Sequence, residues 1–165
     1  MRIGVVIGNP GGYGDSFSAL AADYERARAE GLSTVWMTQH AGFDALTLMA
    51  SWGDHDGPEL GTAVIPAQTR HPMALAEQAL TTQALTGGRL ALGLGLAHSA
   101  TLESFYGLSP RRSVGYLADY LDTLDALLSG TKAASNETVR FTTRIGASEL
   151  PAPPPVLIAA LGPRM

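Results

Sequence analysis

Four histidines, His40, His55, His71 and His98, could carry acid–base chemistry near neutral pH. Imidazole is the one side chain whose ordinary pKa lets it give or take a proton there. None of the four has an i+4 histidine partner or a carboxylate cluster at ligand spacing, so no metal site is read from them. The chain has no cysteine, which removes thiolate nucleophiles, thiolate metal sites and disulfides. It has no G-x-S-x-G elbow for a serine nucleophile either. His40 follows an apolar run, at the expected end of a strand, where it is either a functional group or a solvated loop histidine. His71 precedes Pro72 at an expected helix start and is read as a cap or surface group. His55 is read as structural.

The second candidate is Gly93-Leu94-Gly95 with His98 three positions on. A dinucleotide-binding turn needs G-x-G-x-x-G at the first strand–helix junction and an acidic residue about 20 positions later, ending the next strand. Here the third glycine is replaced by His98, and the run follows the fourth expected strand. The acidic residues at that distance, Asp119 and Asp122, fall on an expected helix. The loop GNPGGYG lacks both the spacing and the lysine of a phosphate-binding loop. Two roles for Gly93 and Gly95 therefore stay open. A missing Cβ lets a flat ring approach a strand end, or it relieves crowding where strands tilt into a barrel.

These residues need a scaffold, and the hydrophobic pattern supplies one. Short, β-branched or near-continuous apolar runs at Ile3–Ile7, Thr34–Thr38, Leu60–Ile65, Arg89–Leu94 and Val156–Ala160 read as strands of a parallel sheet. Ser16 caps a helix carrying Phe17, Leu20, Ala21, Tyr24 and Ala27, which Gly31 ends. Asp44 caps a second, to about Trp52. Pro72 starts a third, to about Leu85. A fourth carries the stripe Val114, Leu117, Leu121, Leu124 and Leu128 and stops at Gly130. TVRFTT is expected in a hairpin or irregular insertion, and PAPPP as a stiff connector. The sequon Asn136-Glu137-Thr138 is read as chance. Alternation of strand and helix requires right-handed βαβ units. A flavodoxin-like sheet and part of a (β/α)8 barrel both fit. The missing closing helix favours the barrel, which typically needs about 250 residues.

Composition narrows the partners. The 165 residues are 45% apolar and 16% charged, with formal net charge −4. This is a globular composition, taken as a single domain over 1–165. No basic patch points to nucleic acid or an anionic membrane. No apolar run reaches a membrane span or a signal peptide core. A cytoplasmic protein is expected.

The segment GTAVIPAQTRHPMALAEQALTTQALTGGRLALGLGLAHS resembles the centre of the luciferase-like flavin monooxygenase superfamily, specifically its deazaflavin (coenzyme F420) branch. RIGV, VWMTQH, YLDTLDALLSG and PPVLIAALGP follow in that family's order. The resemblance implies an α/β fold, a luciferase-like (β/α)8 TIM barrel. It implies that this chain is the N-terminal half, a partial barrel of about five strands and four helices. The implied activity is hydride transfer between F420 and a small organic substrate. FMN with oxygen is the alternative cofactor chemistry, and a catalytically inactive truncated half-barrel that self-associates is the alternative of another class. A homo-oligomer is expected. Carried onto this chain, the resemblance makes His40 the catalytic group. Ala63 and Val64 would support the ring's back face, in a bulge that often holds a non-proline cis peptide. Gly93, Gly95 and His98 would line the cofactor site. Ala159, Ala160 and Gly162 would meet the ribityl chain or first phosphate through backbone N–H groups.

Overall fold

A computed structural model describes residues 2–8, 14–39, 42–53, 56–109 and 114–160. His40, His55 and Gly162 lie outside the described residues. The strands are β1 (Gly4–Ile7), β2 (Thr34–Met37), β3 (Glu59–Thr62), β4 (Ile65–Pro66), β5 (Leu90–Gly95) and β6 (Val156–Ile158). The α-helices are α1 (Phe17–Ala29), α2 (Ala45–Ser51), α3 (Pro72–Leu85), α4 (Ser99–Tyr106) and α5 (Val114–Leu128).

Every strand pairing is parallel. The order runs β1, β2, β3, β5, with β4 prolonging β3 along β5 and β6 on the far side of β5. Sequence order and spatial order agree, without the reversal that defines a doubly wound sheet. This is the winding of a (β/α)8 barrel, here unclosed among the described residues, with β1 and β6 at its ends. One face of the sheet carries Ile7, Val35, Leu60, Leu90, Leu92 and Leu94 into a single core with the helices. On the other face, register puts Val6, Trp36, Gly61 and Ala91 in one row. Val6 there is 53% exposed.

The helix starts follow their caps. Ser16 accepts from the Ala19 N–H at 3.1 Å and Asp44 from the Thr47 N–H at 2.8 Å. His71 is the N-cap of α3: its Nδ1 accepts from the Met73 N–H at 3.2 Å. Gly31 follows α1 with φ +69°.

The structure differs from the sequence expectation in three places. The third strand, one run by its apolar pattern, is divided into β3 and β4 by the bulge that the family resemblance implied. The helix α4 stands in a stretch to which the sequence pattern assigned no element; Leu102 alone of its residues is buried, so it carries no periodic stripe. The buried face of α5 comprises Leu117, Tyr120, Thr123, Leu124, Leu127 and Leu128, while Val114 is 54% exposed. The chain after α5 widens that face, because it folds back over the Asp119–Thr123 side. Thr138 donates to Asp119 from both its N–H and its hydroxyl, and the Asn136 amide donates to Asp119 O and Thr123 Oγ1. The sequon asparagine is thereby committed to the fold. TVRFTT forms no strand, in keeping with an irregular insertion.

Candidate active site

The C-terminal ends of the strands gather Ala63, Val64, Gly93, Gly95 and Ala159 of the expected residues. Between the pairs Gly61↔Ala91 and Ile65↔Leu94 the bulged strand takes four steps where β5 takes three. The extra residue lies at Ala63–Val64, whose peptide bond is cis, in keeping with the family resemblance. The Ala63 N–H donates to Met37 O at 2.8 Å, anchoring the bulge to β2. The resulting ledge is half-buried at both residues.

The glycines of β5 face this ledge. A Cβ on Gly93 would fall 1.8 Å from the Thr62 carbonyl oxygen. A Cβ on Gly95 would meet Val64 Cγ2 at 2.8 Å and Ala159 Cβ at 3.2 Å. The open question about these glycines thus has a steric answer: the room a side chain would need is taken by the protein's own bulge and by Ala159. Val64, Gly93, Gly95 and Ala159 form one contact patch, and Ala63 adjoins it. Ala159 is fixed by its N–H, which donates to Leu94 O at 2.8 Å, and Ala160 beyond it is exposed. His98 stands apart as the exposed N-cap residue of α4, and its side chain makes no cap hydrogen bond.

Three groups absent from the sequence reading support the rim. Thr62, 1% exposed, donates its hydroxyl to the Gly93 carbonyl at 2.8 Å and accepts from the Gly93 N–H at 2.8 Å. Gln68 accepts from the Ala97 N–H at 3.1 Å, while its Nε2 is buried without a partner. Arg70, its side chain 13% exposed, forms a salt bridge with Asp44 and donates to Gln39 and Gln78, each at 3.1 Å. Gln39 also accepts from the Ala45 N–H at 2.8 Å. Arg70 therefore holds both flanks of the connection from β2 to α2. Thr62 and Arg70 both stand in the segment that carries the family resemblance, which marks their positions but not these partners.

The ledge and its neighbours Gly95 and Ala159 carry no charged side chain. An uncharged seat of this kind fits the face of a planar ring. Ala63, Val64, Gly95 and Ala159 are the residues that would hold it. Among the described residues no group of His, Asp or Glu is arranged to hold a metal ion. No described helix is long and apolar enough to cross a membrane.

Comparison with known proteins agrees with this architecture. The family model for luciferase-like monooxygenase matches residues 1–165. A putative coenzyme F420-dependent oxidoreductase of Mycobacterium tuberculosis is 35% identical over 124 residues, 74% of this chain and 35% of that protein. The F420-dependent tetrahydromethanopterin reductase of Methanopyrus kandleri superposes with TM-score 0.72 at 17% identity, over 99% of this chain and 51% of that one. The oxygenating constituent of 3,6-diketocamphane monooxygenase from Pseudomonas putida, solved with FMN, gives 0.76 at 14% identity, over 96% and 51%. The chain thus spans about a third of the curated relative and about half of each solved chain.

Proposed function

The chain belongs to the luciferase-like monooxygenase family, and on that footing we propose that it forms the N-terminal part of an oxidoreductase moving a hydride between coenzyme F420 and a small organic substrate. The observation that carries this reading is the patch of Val64, Gly95 and Ala159 at the strand exits. It joins three separate strand ends into one small, uncharged seat. Preference for F420 over FMN is supported by the 35% identical relative, named as F420-dependent. Bound there, the deazaflavin would supply the hydride chemistry.

The chain's own residues would supply position and a proton. Ala63 and Val64 would back the ring, with Gly93 and Gly95 giving the ledge its depth. His98, Ala160 and Gly162 would lie toward the phosphate-bearing tail. We assign His40, next after Gln39 at the exit of β2, the role of proton donor or substrate-positioning group. Holding the reactants at near-attack distance is the barrel's main contribution on this reading.

Titrating the purified protein with F420 and, separately, FMN tests the cofactor by absorbance. An F420 spectrum that shifts and saturates is the expected result. Saturation with FMN alone transfers the reading to oxygen-using flavin chemistry, and saturation with neither removes it. In the active enzyme, His40→Ala should lower turnover about 100-fold while leaving F420 affinity unchanged. Unchanged turnover would remove His40 from the mechanism.

A further inference from the structure

We propose that Thr62 is a positioning residue for the ledge: through its paired hydrogen bonds with Gly93, its hydroxyl fixes where Val64 stands at the exit of β5. The assignment of a purpose to the ledge rests on the cofactor reading above; the mechanical role of Thr62 does not.

Backbone direction makes the role specific. In a parallel sheet the N–H and C=O of one residue point to the same neighbouring strand, and successive residues alternate. The Leu92 N–H donates to Pro155 O, and Leu94 O accepts from the Ala159 N–H, so these residues face β6. Gly93, between them, faces the bulged strand. The bulge interrupts the ladder there, since pairing stops at Gly61↔Ala91 and resumes at Ile65↔Leu94. Gly93 is buried, so its two polar groups need partners from the protein. A hydroxyl can satisfy both through one atom, because it donates one hydrogen bond and accepts others. Thr62 does this at 2.8 Å in each direction.

The consequence reaches the ledge through the chain. Thr62 precedes Ala63–Val64 directly, and Val64 Cγ2 lies 2.8 Å from the Cβ position of Gly95. The Thr62 carbonyl fills the Cβ position of Gly93. Hydroxyl and carbonyl of one residue thus hold the bulge against β5 from two directions. Valine matches threonine in shape and lacks the hydroxyl, so Thr62→Val removes both bonds while keeping the volume. The displaced group nearest the break would be the ledge.

Methyl NMR tests this without cofactor. The wild-type chain should show a Thr62 hydroxyl proton in slow exchange, with a nuclear Overhauser contact to the Gly93 amide, and a contact between the Val64 methyls and the Gly95 α-protons. Thr62→Val should lose the Val64–Gly95 contact and weaken F420 binding about tenfold. Thr62→Ser, which keeps the hydroxyl, should retain the contact and bind within about threefold of wild type. Leu80→Ala, a core truncation in α3, should lower stability yet leave the contact and the affinity in place. A folded Thr62→Val that keeps the Val64–Gly95 contact overturns the proposal, as does its equal loss in Leu80→Ala. Should Thr62→Val not fold, the wild-type hydroxyl decides: exchange as fast as that of exposed threonines overturns the proposal. Failure of wild type to bind F420 or FMN would sink the cofactor reading alone, because the Val64–Gly95 contact still reports on Thr62.

Discussion

The two seams that flank β3 are built differently. Toward β2 the ladder is unbroken, with four consecutive pairs from Thr34↔Glu59 to Met37↔Thr62. Toward β5 it breaks after two pairs and resumes one residue out of step along β4. Each seam contains a buried glycine pressed by a neighbour. At Gly61 the neighbour is the Trp36 indole, with ring carbons from 2.2 Å of the Cβ position. At Gly93 it is the Thr62 backbone carbonyl, at 1.8 Å. A side chain can turn aside; a carbonyl held inside a bulge cannot move without the bulge. The regular seam supplies scaffold, and the irregular one supplies a surface whose position depends on single atoms.

That contrast sets the largest expected effect. Gly93→Ala should destabilise the chain by about 4 kcal/mol or prevent folding, because the added methyl must displace backbone. Gly61→Ala should cost about 1–2 kcal/mol, since the half-buried Trp36 ring can tilt away. Urea unfolding of both variants measures the difference. Equal costs would show that the bulge is no stiffer than an indole and would erase the distinction between the seams.

The same contrast separates what was legible in the sequence from what was not. Strand positions and the caps Ser16, Asp44 and His71 follow from local pattern, and the structure contains them. The glycines could be flagged but not explained, because the group excluding a Cβ at Gly93 lies 31 residues away on another strand. Thr62 reads as an ordinary strand threonine until its partner is known. Arg70 looks like the charged lead-in to a helix until Gln39 and Asp44, 31 and 26 residues earlier, come to meet it. The α5 stripe was legible at Leu117, Leu124 and Leu128, but the full buried face was not. Periodicity reports which residues are apolar, whereas the returning chain at Asn136–Thr138 buries polar Thr123 as well. Local spacing encodes elements; the site is made of long-range pairs.

Arg70 sharpens the comparison, because it ties the bulged side of the rim to the regular side. It follows β4, yet its guanidinium serves the exit of β2 and the cap of α2. Arg70→Met should cost about 3 kcal/mol, leaving Asp44 without its charge partner in a partly buried setting. Arg70→Lys should recover less than half of that, since a compact ammonium cannot reproduce the guanidinium fork across Gln39, Asp44 and Gln78. A double-mutant cycle with Asp44→Asn isolates the ionic part. A coupling near zero would mean the two seams are held independently.

The smallest effect concerns how α5 reaches the same junction. The Tyr120 hydroxyl donates to the Arg70 carbonyl at 3.0 Å. Burial pushes this phenol above its ordinary pKa of 10.0, reinforced by Tyr116 and opposed by the Arg70 charge. Tyr120→Phe should cost about 1 kcal/mol at neutral pH through the lost hydrogen bond. A raised native pKa stabilises the fold fully below the unfolded value, and that contribution is lost as pH climbs past it. Wild type should therefore lose stability from about pH 10 upward relative to Tyr120→Phe, which has no phenol to ionise. The gap between the two should narrow there and then reverse. Denaturant midpoints of both proteins from pH 7 to pH 11 would trace the crossing. Parallel curves would mean that Tyr120 ionises as easily folded as unfolded, and that the Arg70 junction is open to water from the α5 side.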